Sequence, residues 1–478
     1  MFRFTTIKDY HNNLQSGQTT VVEAVRFFVE AAKGGASLNA WLTIYEDEAL
    51  EAAKKLDEHI KAGQPLLPLH GVVVGLKDVI AYKNHPLSAA SKILQNFHSI
   101  FDATVVEKLQ SAGAIILGRQ NCDEFAMGSS NENSAHGPVK NGIDPTRVPG
   151  GSSGGSAVAV QMNHCMISLG SDTGGSVRQP ADFCGIVGLK PSYGRISRYG
   201  LIAYASSFDQ IGIFAKSVAD AALVLEIIAG PDDFDSTVSE LPVPAYSAVV
   251  DEPTSKKRIA YFKEALEHPS LDPEIKAAID ATIANMQKAG YTVDVVSFDM
   301  LDMVVPTYYV LTTAEASSNL SRYDGVKFGH RSGTGNNDLT SLYKNARSEG
   351  FGKEVKRRIM LGTFVLSAGY FDAYFTKAQQ IRKLLVDGSV QLFKNYDAVL
   401  LPTVPSPAFL IGDHTKDSVA MFLADIYTVY ANLVGIPAIS MPLYQHSSGL
   451  PFGLQVMCAP FEETALLQLS TAIQKLHE

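Results

Sequence analysis

The sequence predicts an α/β fold with a central mixed, largely parallel sheet that is covered by helices. Short apolar runs at residues 72–76 and 114–118 alternate with a helical pattern at 104–112. This alternation is typical of parallel strands buried on both faces. The chain has 478 residues, of which 46% are hydrophobic and 19% are charged, so it can form a large core. That length fits two or three average domains, or one large α/β domain with an insertion.

The composition argues against several classes of protein. The formal net charge of −9 gives no reason to expect that this chain alone binds a nucleic-acid backbone. The first residues lack the apolar core of a signal peptide, and no apolar run approaches the roughly 18 residues of a membrane span. Four scattered cysteines without CxxC or CxxH spacing favour reduced thiols over disulfides or zinc ligands. We therefore expect a cytoplasmic protein that holds no metal.

The first 70 residues are expected to form a mostly helical segment packed on the core, and residues 71–478 to form the main domain. Residues 21–29 and 46–61 carry apolar residues at helical spacing. In order along the chain, strands are expected at 72–76, 114–118, 165–169, 259–262, 291–296, 398–401, 438–441 and 454–457. Helices are expected at 104–112, 156–162, 218–228 and 273–289, and at the C-terminus around Leu466 and Ile473.

Two longer segments interrupt this alternation. Residues 236–255 are rich in proline, serine and acidic residues, and we expect a surface connection there. Residues 302–392 have a mostly helical pattern, which indicates an insertion or subdomain, with a glycine-rich loop at 325–337. Asp272 and Pro273 supply an N-cap and a first-turn proline for the helix that precedes this section.

Residues 148–178 contain two glycine-rich turns, each with a serine inside it. The first is GGSSGGS at 150–156, and the second is DTGGSVR at 172–178. Glycines this dense let a ligand approach the backbone N–H groups closely. The helix and strand expected between the turns bring both to one end of the sheet, where α/β proteins place their sites. Either turn alone fits ordinary loop structure, but together they indicate a catalytic or anion-binding site.

Four kinds of site can use such turns. A phosphate-binding loop needs GxxxxGK[ST] and a dinucleotide site needs GxGxxG after a strand, and neither turn matches. Residues 151–155 satisfy GxSxG with Ser153 as nucleophile, but a nucleophile elbow follows a strand, and a turn-like stretch precedes these residues. A nucleophile elbow also needs a histidine base, and nothing marks any of the late histidines as that base: His414, His446 and His477.

The fourth kind of site is a serine activated by a neutral lysine. Burial lowers a lysine pKa because desolvation disfavours the charged form. Lys77 lies at the end of an apolar strand, where α/β sites form, so it is a candidate for this base. Its position alone fits a solvated surface lysine equally well.

The two turns, together with FCGIVGLKPS at 183–192, resemble the amidase signature family. The resemblance implies that family's α/β/α fold and its Ser–cis-Ser–Lys triad. It assigns Ser176 as the nucleophile that becomes the acyl-enzyme, Ser152 after a cis peptide bond as the proton relay, and Lys77 as the base. The backbone N–H groups that would form the oxyanion hole belong to Thr173, Gly174, Gly175 and Ser176.

Three further stretches resemble the A-subunit family of the glutamyl-tRNA(Gln)/aspartyl-tRNA(Asn) amidotransferases. They are DEFAMGSSNENS at 123–134, EASSNLSRYDG at 315–325 and GFGKEVKRRI at 350–359. The resemblance extends from about residue 71 to the C-terminus and is weaker before it. DVIAYKNH at 78–85 departs from the family's usual Asp-Asn continuation, which concerns detail near the base rather than the base itself.

The substrate that this resemblance implies is glutamine, a zwitterion whose carboxylate needs a cation and whose ammonium group needs a carboxylate. The resemblance assigns these two roles to Arg358 and Asp425. It lines the rest of the pocket with Tyr309, Ser129 and Gly128.

The residues themselves leave alternatives open. Glu354 and Arg358 also have the i,i+4 spacing of an ordinary helix-surface pair, and Arg357 is a substitute for Arg358. Asp425 also fits the N-cap of a helix at 426–434.

The function implied by the resemblance is that of the glutaminase subunit in a heterotrimer with B and C subunits. Glutamine would be hydrolysed here, and the ammonia would pass to the B subunit, which uses ATP and Mg to amidate glutamyl-tRNA(Gln). Aspartyl-tRNA(Asn) is left open as a second route. Charged tRNA would bind mainly through the B subunit, and no cofactor is expected in this chain. The alternatives are a stand-alone serine amidase acting on another amide and a non-catalytic scaffold subunit.

Overall fold

The computed structural model describes residues 2–252, 257–333, 338–413 and 424–477. They form one 11-stranded sheet against which helices pack. The strands are β1 (Trp41–Ile44), β2 (Val73–Lys77), β3 (Ile115–Gln120), β4 (Ile167–Asp172), β5 (Val187–Lys190), β6 (Gln210–Ala215), β7 (Arg258–Phe262), β8 (Thr292–Val296), β9 (Ala398–Pro402), β10 (Ala438–Gln445) and β11 (Pro451–Cys458). Their order across the sheet is β1-β3-β2-β4-β6-β5-β10-β11-β9-β7-β8.

The directions of these strands confirm the mixed sheet and the α/β class. Four of the ten neighbouring pairs are parallel, and six are antiparallel. The expectation of a largely parallel sheet is therefore wrong. β2, β3 and β4 follow the predicted strand–helix–strand alternation, but β5–β6 and β10–β11 are consecutive strands that pair antiparallel. An apolar run carries no information on direction, so the sequence pattern did not reveal these reversals.

Several helices begin at a residue whose side chain caps them. Thr20 and Glu23 form a capping box at the start of α2, and Asp272 caps α10 with Pro273 as its first residue, as predicted. The helices are α1 (Ile7–Gln15), α2 (Val21–Gly34), α3 (Glu46–Lys61), α4 (Thr104–Ser111), α5 (Gly154–Gln161), α6 (Arg178–Cys184), α7 (Val218–Ile228), α8 (Tyr246–Val249), α9 (Lys263–Leu266), α10 (Pro273–Lys288), α11 (Leu301–Asn319), α12 (Leu339–Gly350), α13 (Lys353–Val365), α14 (Lys377–Leu392), α15 (Val429–Val434) and α16 (Glu463–Lys475).

The N-terminal segment is helical apart from β1, which the sequence analysis did not expect. β1 pairs antiparallel with β3 at one edge of the sheet. Its four residues lie between two strong helical patterns, and so short a run gives little strand periodicity of its own. The Ile7 N–H donates to Asp220 Oδ1 at 2.9 Å and thereby ties α1 to α7. The division of the chain at residue 70 stays a prediction.

The section at 302–392 contains the helices α11, α12, α13 and α14. Residues 325–333 of the expected loop contain no helix, and residues 334–337 lie outside the described residues. The expected connection at 236–255 includes the short helix α8, and its last residues, 253–255, also lie outside the described residues. The classification of 302–392 as an insertion or subdomain stays a prediction.

The centre of the sheet is the core of the molecule. β2, β3 and β4 are buried along their whole length, which explains their near-continuous apolar sequences. Polar side chains therefore enter this core mainly at strand ends, as Lys77 and Asp172 do. All four cysteines are buried with free thiols. Among the described residues, no helix is both long enough and apolar enough to cross a membrane.

Candidate active site

The candidate site lies where the parallel neighbours β2 and β4 end. Lys77 is the last residue of β2 and Asp172 is the last residue of β4. α5 begins directly after Ser152 and Ser153, and α6 begins two residues after Ser176. The Gly151 N–H donates to Gln179 Oε1 at 2.9 Å, which joins the two glycine-rich turns. The arrangement follows the rule that α/β sites form outside the carboxyl ends of parallel strands.

Lys77 is fully buried, and its ammonium group is surrounded by hydroxyls. Nζ lies 2.7 Å from Ser152 Oγ, 2.8 Å from Ser153 Oγ and 2.9 Å from Ser171 Oγ. Burial lowers the pKa of Lys77 from 10.5 to about 8, although nearby carboxylates, among them Asp123, favour the charged form. The neutral amine is therefore accessible near physiological pH, as a general base requires.

The partners of Ser153 limit how its hydroxyl can interact with Lys77. Ser153 Oγ–H donates to the Ser171 carbonyl oxygen at 3.2 Å, so toward Lys77 this hydroxyl acts as an acceptor. A neutral amine has two N–H donors and one lone pair. If Ser153 and Ser171 take the two N–H groups, the lone pair remains for the hydroxyl hydrogen of Ser152.

The peptide bond between Gly151 and Ser152 is cis. The Asp123 N–H donates to the Ser152 carbonyl oxygen at 3.0 Å. A Cβ atom on Gly151 would lie 2.2 Å from Asp123 Oδ2, so the close approach of the carboxylate requires glycine at position 151.

The turn that carries Ser176 is organised by Asp172. Its carboxylate accepts the Gly175 N–H at 2.9 Å and the Val177 N–H at 3.1 Å. Arg178 donates to both carboxylate oxygens, from Nε at 3.1 Å and from Nη2 at 3.0 Å. Burial is the largest single influence and opposes the ionisation of Asp172, but the charge and hydrogen bonds of Arg178, the charge of Lys190 and the hydrogen bond from Asn432 together lower the pKa of Asp172 to about 2. The carboxylate is thus permanently ionised and fixes the turn.

The predicted oxyanion donors differ in their availability. The Gly175 N–H already donates to Asp172 Oδ1 at 2.9 Å, and the role of each predicted donor stays a prediction. The N–H groups of Thr173, Gly174 and Ser176 donate to no other described residue, nor does the Ser176 hydroxyl. Gly175 has a φ of +134°, and a Cβ atom there would lie 2.2 Å from Thr428 Oγ1. Glycine is therefore needed at this turn for its backbone conformation and for space.

Arg358 is buried, unlike its neighbour Arg357. Its side chain is 7% exposed, against 45% for Arg357. Arg358 Nε donates to Glu354 Oε1 at 2.8 Å, and Nη1 donates to the Tyr204 hydroxyl at 2.7 Å. The guanidinium group also lies over the ring of Tyr309, 5.3 Å from its centroid. The i,i+4 pair exists, but its arginine is buried, whereas Arg357 donates to the same Glu354 carboxylate from an exposed position.

Asp425 contacts two of the residues predicted to line the same pocket. Its Oδ2 accepts the Ser129 hydroxyl at 2.7 Å and the Tyr309 hydroxyl at 3.4 Å. Burial raises the pKa of Asp425 to about 7, against the opposing effects of these hydroxyls and of the Arg358 charge. The helix α15 begins at Val429 with Thr428 at its N-cap, so the Asp425 side chain is not the cap of this helix.

Gly128 borders Asp123 rather than open space. A Cβ atom on Gly128 would lie 2.3 Å from the Asp123 carboxyl carbon. The structure thus joins Lys77 to Ser152 and places the turn that carries Ser176 next to the turn that carries Ser152, and it brings Arg358, Tyr309, Ser129 and Asp425 together as a second group. The role of each residue stays a prediction.

Sequence reasoning missed two side chains of the site. Ser171, a direct contact of Lys77, lies within residues 148–178, and its place near the end of β4 was the available signal. Tyr204 contacts Arg358, but no motif or periodicity marks it. Ser153, the nucleophile of the elbow alternative, is fully buried at the N-cap of α5, and no strand precedes it within residues 121–152. Of the late histidines, His414 lies outside the described residues.

The described residues contain no group of three histidine, cysteine or acidic side chains that would hold a metal ion.

Comparison with known proteins agrees with this architecture. Residues 23–467 match the amidase family. The chain is 52% identical over 460 residues to the A subunit of the glutamyl-tRNA(Gln) amidotransferase of Koribacter versatilis, covering 96% of this chain and 95% of that protein. It is 48% identical to the protein of the same name from Chlorobium luteolum, covering 99% and 97%.

The crystal structure of the A subunit of the glutamyl-tRNA(Gln) amidotransferase from Thermotoga maritima is also similar. It has a TM-score of 0.78 at 38% identity, covering 96% of this chain and 94% of that one. Both the sequence and the fold therefore place the chain in the amidase family, within the family of glutamyl-tRNA(Gln) amidotransferase A subunits.

Proposed function

We propose that the chain hydrolyses glutamine with Ser176 as the nucleophile and supplies ammonia to the other subunits of a tRNA-dependent amidotransferase. The observation that carries this proposal is the 2.7 Å contact between the fully buried Lys77 and Ser152. A buried lysine with a pKa of about 8 can act as a base near neutral pH, and a serine hydroxyl is its acidic partner. Ser176 lies on the adjoining turn with its hydroxyl unengaged by any other described residue.

The reaction begins with the transfer of the Ser176 hydroxyl proton through Ser152 to Lys77. Ser176 Oγ forms a bond to the γ-carbonyl carbon of glutamine, and the carbonyl oxygen becomes an oxyanion. The C–N bond then breaks as the proton returns through Ser152 to the leaving nitrogen, which departs as ammonia. Water, deprotonated by the same route, hydrolyses the ester and releases glutamate.

The oxyanion is stabilised by backbone N–H groups of the second turn. We assign this role to Thr173, Gly174 and Ser176, because Gly175 already donates to Asp172. Each such donor is worth about 3 kcal/mol of transition-state stabilisation. Asp172 and Arg178 contribute indirectly, by fixing the turn in which these groups lie.

The substrate is held by its charged ends. Arg358 binds the α-carboxylate, since its buried guanidinium offers further N–H donors beyond those given to Glu354 and Tyr204. Asp425 binds the α-ammonium, with Ser129 and Tyr309 orienting its carboxylate. The ammonium charge of bound glutamine then favours the ionised form of Asp425. Gly128 completes this wall of the pocket.

The ammonia is used by partner subunits. The names of the relatives describe one subunit of an amidotransferase, which supports a multisubunit enzyme. We assign ATP, Mg and most tRNA contacts to a B subunit, with a C subunit joining the two, and glutamyl-tRNA(Gln) as the acceptor. The net charge of −9 agrees with tRNA binding by another chain. We place the reaction in the cytoplasm, and we propose no metal or cofactor for this chain.

The test compares the wild type with Ser176→Ala, each assembled with its partner subunits. Glutamine-dependent amidation of tRNA should fall by about 10³-fold or more, because the nucleophile is lost. Amidation with free ammonia should persist, because only the ammonia supply depends on Ser176. Unchanged glutamine-dependent activity in Ser176→Ala would instead make the chain a scaffold. Amide hydrolysis by the wild type that partners do not stimulate would indicate a stand-alone amidase.

A further inference from the structure

Glu124 is a buried carboxylate to which the mechanism assigns no role. Its two oxygens accept the Gly352 N–H, Oε2 at 2.8 Å and Oε1 at 3.1 Å. Oε1 also accepts the Ser91 hydroxyl in a short hydrogen bond. A Cβ atom on Gly352 would lie 2.3 Å from Glu124 Oε2, so this approach depends on glycine at position 352. The contact joins two residues that lie 228 positions apart in the sequence, and it depends on the close approach of the Glu124 carboxylate to Gly352.

Gly352 is the N-cap residue of α13, directly before Lys353, and α13 carries Arg358. The first N–H groups of a helix have no partner within the helix, and a carboxylate there both satisfies a donor and complements the helix dipole. Arg358 lies six residues after Gly352, about 9 Å along the helix axis at 1.5 Å per residue. A shift of the helix start is therefore transmitted directly to the guanidinium group.

The backbone on the other side of Glu124 leads to the rest of the substrate pocket. The preceding residue, Asp123, donates its N–H to the Ser152 carbonyl oxygen and accepts the N–H groups of Asn131 and Asn133. Phe125 follows with a left-handed φ of +52°, and the chain then reaches Ser129, which bonds to Asp425. Glu124 thus joins the element that carries Arg358 to the loop that carries Ser129.

We propose that Glu124 is a positioning residue that fixes α13 against the 123–133 loop and so sets the separation of the Arg358 and Asp425 ends of the substrate site. The inference rests on the proposed binding of glutamine, because that zwitterion must be matched by both charges at once. In this role the Glu124 carboxylate, which lies on a distant loop, anchors the N-terminus of α13. The separation of Arg358 and Asp425 that results selects for ligands that present an α-carboxylate and an α-ammonium group at the spacing of an amino acid.

Burial and the polar surroundings of Glu124 act on its ionisation in opposite directions. Burial raises the pKa of Glu124 to about 7, whereas the Ser91 hydroxyl, the Gly352 N–H and the charges of Lys356 and Lys92 favour the ionised form. A cavity of about 360 Å³ is lined by both Glu124 and Gly352. Three more carboxylates line that cavity, those of Glu132, Glu349 and Glu354.

The decisive variant is Glu124→Met in the assembled enzyme, because methionine has a similar length but offers Gly352 no comparable acceptor. An unpaired buried N–H costs enough to change binding about tenfold, so KM for glutamine should rise about tenfold while kcat changes less than twofold. Amidation with free ammonia should be unchanged, because ammonia does not use Arg358. Glu124→Gln keeps one oxygen for the Gly352 N–H and should restore most of the affinity.

The matched control is Glu349→Gln. Glu349 lines the same cavity, but its oxygens accept His330 and Ser332 rather than the start of α13. This variant should leave KM for glutamine within twofold of the wild type. A second measurement is hydrogen exchange of the backbone at residues 352–358 in the full chain, which should accelerate in Glu124→Met and not in Glu349→Gln.

Two results would overturn the inference. One is an unchanged KM for glutamine in Glu124→Met, and the other is a matched loss of glutamine-dependent and ammonia-dependent activity, which would indicate a general folding defect. The Ser176→Ala chain separates this failure from that of the proposed function, since it should bind glutamine without turnover. If the Ser176→Ala chain binds no glutamine, the proposed substrate is wrong. In that case, an unchanged rate of hydrogen exchange at residues 352–358 in Glu124→Met would also refute the anchoring of α13 by Glu124.

Discussion

Replacing Lys77 with methionine should change how the stability of the protein depends on pH. Burial lowers the pKa of Lys77 from 10.5 to about 8, so an unfolded chain binds a proton at this residue more tightly than the folded chain. Folding below pH 8 therefore keeps a buried charge at a cost of about 3 kcal/mol, which decreases as pH rises toward 10.5. Between pH 7 and pH 9.5 the wild type should recover about 2 kcal/mol of this cost. Lys77→Met has no charge at this position, so its stability should not show this change with pH.

The assay is urea unfolding of both proteins at pH 7 and pH 9.5. The free energy of unfolding of the wild type relative to Lys77→Met should increase by about 2 kcal/mol between the two pH values. A second buried lysine, Lys190, has its pKa lowered by burial to about 7, but both proteins contain it and its effect cancels in the difference. An equal pH dependence in the two proteins would refute the buried, easily deprotonated lysine on which the mechanism depends.

Three further effects follow from the same geometry. The kcat for glutamine hydrolysis should rise through a limb near pH 8 as Lys77 loses its proton, and the pH–rate profile of the assembled enzyme would show no such limb if another base were used. Asp172→Asn should lower kcat, and it should lower the free energy of unfolding by about 3 kcal/mol because Arg178 is left as an uncompensated buried charge. A thermal denaturation curve like that of the wild type would contradict this prediction. Arg358→Met should raise KM for glutamine by about 100-fold and leave ammonia-dependent amidation intact, whereas the exposed Arg357→Met serves as the control and should resemble the wild type in steady-state kinetics.

The sequence was most informative where chemistry and local structure coincide. Glycines around Ser152 and Ser176 predicted two turns, and the apolar run before Lys77 predicted a buried strand that ends in a charged residue. These features are local, and the structure shows the strand and both turns at the expected places. The family resemblance added the connection between them, which spacing alone did not provide.

Features that depend on distant contacts could not be predicted. Four residues at Trp41–Ile44 pair with β3, which requires knowledge of the sheet edge rather than of local periodicity. The antiparallel strands reverse through connections whose direction the apolar pattern does not encode. Tyr204 contacts Arg358 across 154 residues, and Glu124 contacts Gly352 across 228. Such contacts arise from packing, which a single sequence reveals only through resemblance to known proteins.

The central claim is that Ser176 forms a covalent bond to the γ-carbon of glutamine. The most direct test is intact-mass spectrometry after incubation with a glutamine analogue that bears an electrophilic γ-carbon, for the wild type and for Ser176→Ala, each with its partner subunits. The account predicts one adduct per wild-type chain and none on Ser176→Ala. An adduct that persists in Ser176→Ala, or that maps to Ser153, would contradict it.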